Sequence, residues 1–272
     1  MSKLRKIYFS KLIFRILILI YIVYLYIANN SEFDIILSWN MFNHLSPLHI
    51  LYVLWIYDMV CQLVPKSKNI ALGSQKLFLN KFKDGKIDIK GIALDLKDEV
   101  NIQRERLKEG IEDTKNRLVH IKYNQLRDYV INTTKKAYKV FAIWASLMII
   151  IGILYFTHLI SYKEIFLISV IFFVCDLICV LIWCPFRLIL GNKCCTTCRI
   201  FNWDHAMMFL PFIFIPGLYT TTLLLLSIAI WIVWEVYMML YPERFWEVTN
   251  ASLRCSECTD KLCTQYCRKL RK

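Results

Sequence analysis

Apolar segments long enough to cross a lipid bilayer are the feature that most limits how this chain can fold. A helix needs roughly 20 mostly apolar residues to cross the hydrocarbon core. Runs of this kind occupy residues 8–28, 46–64, 140–160, 164–184 and 218–240. Since 57% of the 272 residues are hydrophobic, the composition is too apolar for a soluble globular domain. The sequence therefore predicts an all-α integral membrane protein.

The distribution of lysine and arginine predicts the orientation, because short basic flanks stay on the cytoplasmic side. The N-terminal flank is basic, and an acidic linker at residues 29–45 follows the first segment. The loop 66–139 carries 18 Lys and Arg against 10 Asp and Glu, and the tail 242–272 is basic as well. We therefore expect both termini in the cytoplasm.

This orientation requires an additional, short pass. With both termini on one side, the chain must cross the membrane an even number of times. The apolar stretch 206–216 is too short for an ordinary span, and Pro211 and Pro216 interrupt its backbone hydrogen bonds. We expect residues 204–217 to cross obliquely or through locally thinned bilayer. The predicted fold is a bundle of about six transmembrane helices, one of them short, with a Cys-rich cytoplasmic cap.

The same segments predict the organisation of the chain. Its expected parts are two N-terminal helices with an acidic external linker (1–65), a basic cytoplasmic helical loop (66–139), a transmembrane hairpin (140–184), a Cys-rich cytoplasmic loop (185–205), a short and a long transmembrane helix (206–241) and a Cys-rich basic cytoplasmic tail (242–272).

The basic loop contains apolar residues at helical intervals within 94–138. This pattern predicts a long amphipathic helix that runs into the third span. Such a helix could dimerise or lie on anionic lipid. A solvated helix without a partner explains the pattern equally well.

Two CxxC pairs carry the strongest chemical signal. Cys195 and Cys198 lie in the loop after the fourth span, and Cys255 and Cys258 lie in the tail. A two-residue gap allows a tight turn to aim both sulfurs at one ion, as in tetrahedral thiolate sites. The sequence therefore predicts a cytoplasmic metal site that joins the loop to the tail. A second site could use Cys184, Cys194, Cys263 and Cys267.

Zinc is the favoured metal, because the C-x2-C-x2-C-x3-C-P spacing of ferredoxins is absent. The alternative is an iron–sulfur protein that exchanges electrons with a quinone or a partner. Cysteines also occur as small buried hydrophobes, which fits Cys61, Cys175 and Cys179 within the spans. Disulfides are disfavoured in a reducing cytosol. Thiol–disulfide exchange at the first CxxC would lack the usual thioredoxin-like unit.

Ionisable residues within spans are costly and point to function by default. Asp176 lies in mid-span, where it could relay protons or pair structurally, for example with His158. Asp58 and Glu235 lie nearer to span ends, where they could reach water. Arg15 is near enough to the start of the first span to extend its side chain to the interface.

Other patterns limit the function further. The chain has no P-loop, HExxH, GxSxG or dinucleotide-binding motif, so a non-enzymatic role is favoured. A net charge of +13 on so apolar a chain fits contact with a cytoplasmic leaflet, and no nucleic-acid partner is expected. Abundant Lys, Ile and Asn favour a low-GC bacterium and hence its inner or plasma membrane. A scaffold, a partner-binding or homo-oligomeric subunit, or a small transporter fits these features.

Two stretches of the sequence are distinctive: NKCCTTCRIFNWDHAMMF at 192–209 and YPERFWEVTNASLRCSECTDKLC at 241–263. Both resemble the signature segments of a family of bacterial polytopic membrane proteins. Members of that family carry similar cysteine-rich ends. The resemblance covers roughly the last third of the chain. It implies a multi-pass membrane protein and implies no particular activity.

Overall fold

The computed structural model describes residues 3–28, 31–40, 46–63, 106–186, 199–246, 248–250 and 253. Within these ranges the chain is helical, as the sequence predicts. The α-helices, labelled in chain order, are α1 (Lys3–Ile27), α2 (Asp34–Leu37), α3 (Pro47–Leu63), α4 (Arg106–Phe156), α5 (Tyr162–Leu181), α6 (Asp204–Phe209) and α7 (Leu218–Leu240). Short 3₁₀ turns span Ser31–Phe33, Arg199–Trp203, Leu210–Phe214 and Pro242–Phe245.

Four helices in the described ranges are long and apolar enough to cross a membrane. They are Arg5–Ile27 in α1, Asn124–Phe156 in α4, Tyr162–Leu181 in α5 and Leu218–Leu240 in α7. The 17-residue α3 and the segment Asp204–Phe214 are apolar but shorter. These lengths are compatible with an integral membrane protein.

The outer surface of these helices is apolar. Leu17, Ile20, Ile149 and Leu225 are each between 58% and 62% exposed, and many other large apolar side chains point outward with them. A soluble protein rarely exposes continuous apolar surface of this extent. Such a surface is compatible with contact with lipid tails.

Hydrogen bonds at the loops define one end of the helix bundle, which we call the acidic end. Tyr26 Oη donates to Glu164 Oε1 over 2.6 Å, and Tyr162 Oη donates to Asp34 Oδ1 over 2.7 Å. Here α1 ends and α3 and α5 begin. We call the opposite end, where α1 begins and α3, α5 and α7 end, the basic end. Lys11, Arg199 and Arg244 lie at the basic end. The tyrosine–carboxylate hydrogen bonds hold the acidic end together.

The hairpin between α4 and α5 is tight, as predicted, but α4 ends at Phe156 rather than at residue 160. His158 has a φ of 59°, in the left-handed region, and this reverses the chain. Ser161 and Glu164 then form a capping box that starts α5. A helix precedes the third span as predicted, as the first part of α4, and is continuous from Arg106. Residues 94–105 of the predicted amphipathic helix lie outside the described residues.

The segment from α6 to Phe214 connects the two ends of the bundle over a short distance. Asp204 lies at the basic end, where Gln62 near the end of α3 donates to it. Phe214 packs near the acidic end, with its ring 6.0 Å from that of Phe156. Six α-helical and five 3₁₀ residues rise by only ~19 Å, well short of the ~30 Å hydrocarbon core. Phe209 and Phe212 are buried, so surrounding protein covers this irregular backbone.

Trp55 of α3 is fully buried at the centre of the core. Its ring packs at 5.0 Å from Phe209 and 5.7 Å from Phe173, and at 5.9 Å from Phe166. Edge-to-face aromatic pairs of this kind add stabilisation beyond the apolar area they bury. The indole therefore connects α3, α5 and α6.

Gly217, which precedes α7, generates the first testable prediction. A Cβ at this position would lie 2.2 Å from the backbone oxygen of Ile36, in the α2 segment. We expect Gly217→Ala to lower the free energy of unfolding by about 1–3 kcal/mol, because backbone must move to relieve the clash. Thermal unfolding of the detergent-solubilised protein measures this.

Gly152→Ala is the matched control. Its Cβ would meet the ring of Phe214 at 2.7 Å, and a side chain can rotate away more easily than backbone. A Gly217→Ala protein as stable as the Gly152→Ala protein would contradict the close approach of α2 to α7.

Candidate functional site

Arg15 occupies the centre of a buried polar network near the basic end. Its Nη1 donates to the backbone oxygen of Phe173 over 2.6 Å and to Asp176 Oδ2 over 2.8 Å. Its Nη2 donates to Asp58 Oδ2 over 3.2 Å. The guanidinium carbon also lies 3.8 Å from the centroid of the Phe173 ring. One side chain of α1 thus binds both α3 and α5.

This arrangement corrects the sequence-based expectation for Arg15. The residue is 8% exposed, so its side chain stays within the bundle and does not extend to the interface. A buried guanidinium without partners would be strongly destabilising. Two carboxylates and a backbone carbonyl supply those partners here.

His205 extends the network to α6. Its Nδ1 lies 3.1 Å from Asp204 Oδ1, and its Nε2 lies 3.6 Å from Asp58 Oδ2. Gln62 Nε2 lies 2.9 Å from His205 Nδ1 and donates to Asp204 Oδ2 over 3.0 Å. His205 is 5% exposed. We call the set Arg15, Asp58, Gln62, Asp176, Asp204 and His205 the Arg15 network.

The charges of the Arg15 network do not balance within it. Arg15 carries one positive charge, and His205 adds a second when both ring nitrogens are protonated. Asp58, Asp176 and Asp204 carry three negative charges. With His205 doubly protonated, one negative charge remains in excess within the set, and Lys11, one helical turn before Arg15, lies close enough to Asp58 and Asp176 to offset it.

A second polar cluster lies closer to the basic end. Arg199 forms an ion pair with Glu235 of α7, and its Nη1 donates to Thr134 Oγ1 of α4 over 2.5 Å. Trp203 Nε1 donates to Glu235 Oε1 over 2.7 Å. The 3₁₀ turn before α6 is therefore fastened to both α4 and α7.

A cavity of about 240 Å³ adjoins the Arg15 network between α4, α5 and α6. Asp176 and Asp204 form part of its wall, so the network and the cavity share two carboxylates. Most of the remaining wall is apolar or sulfur-containing, and includes Trp144, Phe172 and Met207.

The predicted acidic residues have partners that the sequence did not suggest. Asp176 pairs with Arg15 and not with His158, which lies at the acidic end. Asp58 pairs with Arg15 and His205, and Glu235 pairs with Arg199. Asp58 and Glu235 therefore both have partners within the bundle, and the side chain of each is 24% exposed.

Most predicted metal ligands lie outside the described residues. These are Cys194, Cys195, Cys198, Cys255, Cys258, Cys263 and Cys267. Cys184 is described; it is partly buried just beyond α5 and lines the 240 Å³ cavity. In the described part of the chain, no three His, Cys, Asp or Glu side chains are arranged to hold a metal ion.

The cysteines within the predicted spans differ in burial. Cys61 is buried, as expected for a small core residue. Cys175 is exposed and Cys179 is partly buried, and both line the cavity. The interpretation of all three as core residues is therefore wrong for Cys175.

Sequence reasoning missed Arg15, Gln62 and the Arg199–Glu235 pair as parts of polar sites. A signal for Arg15 was present, because one basic side chain within an apolar span needs acidic partners in other spans. Asp58 and Asp176 were the available carboxylates. Gln62 gave no such signal, since an amide near a helix end is common.

Comparison of the sequence with protein-family models, with curated proteins and with solved structures found no match. The site is therefore interpreted from its own geometry.

Replacing Arg15 tests the network. We expect Arg15→Met to destabilise the protein by about 3–5 kcal/mol, because it leaves two buried carboxylates without their cation. The triple variant Arg15→Met/Asp58→Asn/Asp176→Asn should recover much of that loss, since it removes the charges together. Thermal unfolding in detergent compares the two proteins.

Leu17→Met, at an exposed position of the same helix, controls for the presence of a methionine in α1. If Arg15→Met unfolds at the wild-type temperature, Arg15 is not required to neutralise the carboxylates.

Proposed function

We propose that this chain is a six-pass membrane protein with a cytoplasmic thiolate metal site, zinc being favoured, that joins the 185–205 loop to the C-terminal tail. The site closes the cytoplasmic ends of the last helices. The protein then acts as a scaffold, a partner-binding subunit or a small transporter, in a bacterial cell membrane. This role needs metal for folding and not for a reaction.

One observation carries the proposal: the chain segments that flank the two cysteine runs are anchored at the same end of the bundle. Arg199, next in sequence to Cys198, binds Thr134 of α4 and Glu235 of α7. Leu253, two residues before Cys255, is buried, and its backbone N–H donates to the oxygen of Asn250 over 3.1 Å.

Asn250 belongs to a turn that folds back onto the end of α7. Its Nδ2 donates to the backbone oxygen of Arg244 over 2.8 Å. The neighbouring Phe245 accepts a hydrogen bond of 3.0 Å from Tyr129 Oη, and the Tyr129 ring stacks on Trp246. Tyr129 and Thr134 are five residues apart on α4, or about 7.5 Å along the helix. Both anchors therefore lie on one stretch of α4.

This proximity supports one shared site, because each cysteine run starts within a few residues of its anchor. Arg199 directly follows Cys198, and consecutive Cα atoms are about 3.8 Å apart. Leu253 and Cys255 are at most about 7 Å apart. Cys184 follows α5 at the same end, which is compatible with a place in a second set of ligands.

The short segment from α6 to Phe214 supports a short fifth pass, and hence six passes in total. It leads from the Arg15 network at the basic end to the contacts of Phe214 and Gly217 at the acidic end. Spanning a bilayer with so short a segment requires the membrane to thin locally. The basic end is proposed to face the cytoplasm, because cytoplasmic flanks carry the excess of Lys and Arg.

Reporter fusions test the six passes. Alkaline phosphatase, which is active only outside the cytoplasm, should be active when fused after Asn40, Ser161 or Gly217 and inactive when fused after Asn250. Green fluorescent protein at the same positions is the reciprocal control. An inactive phosphatase after Gly217 would remove the short fifth pass and place the two cysteine runs on different sides.

Metal analysis tests the proposed site. We expect anaerobically purified full-length protein to contain about one or two zinc ions per chain and no visible absorbance. Cys255→Ser/Cys258→Ser should lose metal, because each thiolate removed weakens a tetrahedral site. Cys61→Ser, which changes a buried cysteine of α3, should retain the full content.

The alternatives give other results. A brown protein with iron and acid-labile sulfide would support the iron–sulfur alternative. Metal-free wild-type protein would leave the cysteines as redox thiols or packing residues and reject the metal site. Equal metal content in Cys255→Ser/Cys258→Ser would exclude that pair as ligands.

A further inference from the structure

The cavity beside the Arg15 network has a wall chemistry that selects a particular kind of ligand. Its volume is about 240 Å³. For scale, an apolar protein cavity of about 150 Å³ holds a benzene molecule. A ligand with a single aromatic ring therefore fits. The exposed Cys175 lies in the wall, so the cavity reaches the surface of the bundle.

Among the described residues that line the cavity, the charged side chains are Asp176 and Asp204. Both are carboxylates, so a bound anion would be repelled. Their positive partners, Arg15 and His205, approach from within the bundle and do not line the cavity. A ligand in the cavity therefore meets the negative side of these pairs.

The positions of the charges point the same way. Lys11, one helical turn before Arg15 on α1, interacts with Asp58 and Asp176 and adds a third cation to Arg15 and His205. None of these three cations lines the cavity, so the charge at its wall is that of Asp176 and Asp204. In a low-dielectric site, one added positive charge next to Asp176 and Asp204 would be favourable.

Aromatic side chains complete the pattern. The rings of Trp144 and Phe172 lie 4.8 Å apart with an interplanar angle of 60°, and both border the cavity. Aromatic faces attract cations, and such walls recognise quaternary ammonium groups. Met207 and Met208 add polarisable surface that adapts to the shape of a ligand.

We propose that this cavity is a binding site for a monovalent organic cation with an aromatic or apolar body. Asp176 and Asp204 attract its charge, and Trp144 and Phe172 contact its ring or alkyl groups. A metal ion is a poorer fit, because the thiols and carboxylates of the described chain do not converge in threes. The cavity shares Cys184 with the possible second set of cap ligands, but its charged and aromatic walls are formed by other residues and do not depend on the cap.

Calorimetric titration of the full-length protein in detergent with phenyltrimethylammonium tests the proposal. This probe combines a quaternary ammonium group with one benzene ring. We expect saturable binding to the wild-type protein after subtraction of empty micelles. The neutral molecule tert-butylbenzene has the same shape, and we expect it to bind more weakly by roughly tenfold or more.

Two variants locate the site. Asp204→Asn removes one carboxylate and should weaken binding of the cation by roughly tenfold or more, with little effect on tert-butylbenzene. Cys179→Leu fills the cavity and leaves every charge in place, so it should abolish binding of both molecules. Cys61→Ala, a buried cysteine change outside the cavity, should bind as the wild type does.

Each contrary result overturns the proposal. Absence of saturable binding, or equal affinity for the two molecules, would leave only an apolar cavity. Cation binding that survives both Asp204→Asn and Cys179→Leu would lie elsewhere. If Asp204→Asn fails to fold, two measurements still test the proposal: binding of the cation by Cys179→Leu and binding of tert-butylbenzene by the wild-type protein. Neither of them alters the Arg15 network.

Discussion

The burial of one guanidinium group is the constraint on which the bundle depends. Removing Arg15 from water is costly, and the cost is offset only if its carboxylate partners keep their geometry. Asp58 comes from α3 and Asp176 from α5. The helices α1, α3 and α5 must therefore place these side chains at the same height in the bundle, and each helix must be rotated about its axis so that its side chain faces the other two. Apolar packing alone would define the relative positions of these helices less well, because their outward-facing and protein-facing surfaces are chemically alike.

The short connection through the bundle relies on the same interaction. Six helical residues and a 3₁₀ turn are too few to be stable in lipid by themselves. Asp204 and His205 fix the start of this segment in the Arg15 network, and Phe209 and Phe212 pack against Trp55. The segment can be irregular because protein surrounds it. The Asp204 carboxylate at the start of the segment also forms part of the wall of the adjacent cavity.

Length and composition were sufficient to predict the helices, because a span needs only apolar residues in sufficient number. The predicted last span, 218–240, coincides with α7. The end of α4 was missed by four residues, because the turn at His158 and the Ser161 cap depend on local backbone geometry. The need of Arg15 for acidic partners could be predicted, but its contacts with α3 and α5 could not, since an all-round apolar pattern does not reveal which helices are neighbours. The thiolate site stays a prediction, as its ligands lie almost wholly outside the described residues.

The distance along the chain between Arg15 and its partners bears on how the protein is made. Asp58 is 43 residues away and Asp176 is 161 residues away. Membrane helices enter the bilayer as they are synthesised, so α1 arrives with its positive charge before either carboxylate is available. A charge within a span costs about 2.5–3.5 kcal/mol on insertion scales, and α3 is the first helix that can relieve it. During insertion into a membrane, Asp58 of α3 would be the first carboxylate to reach Arg15, and Asp176 of α5, the helix against which α1 packs most extensively, would complete the site.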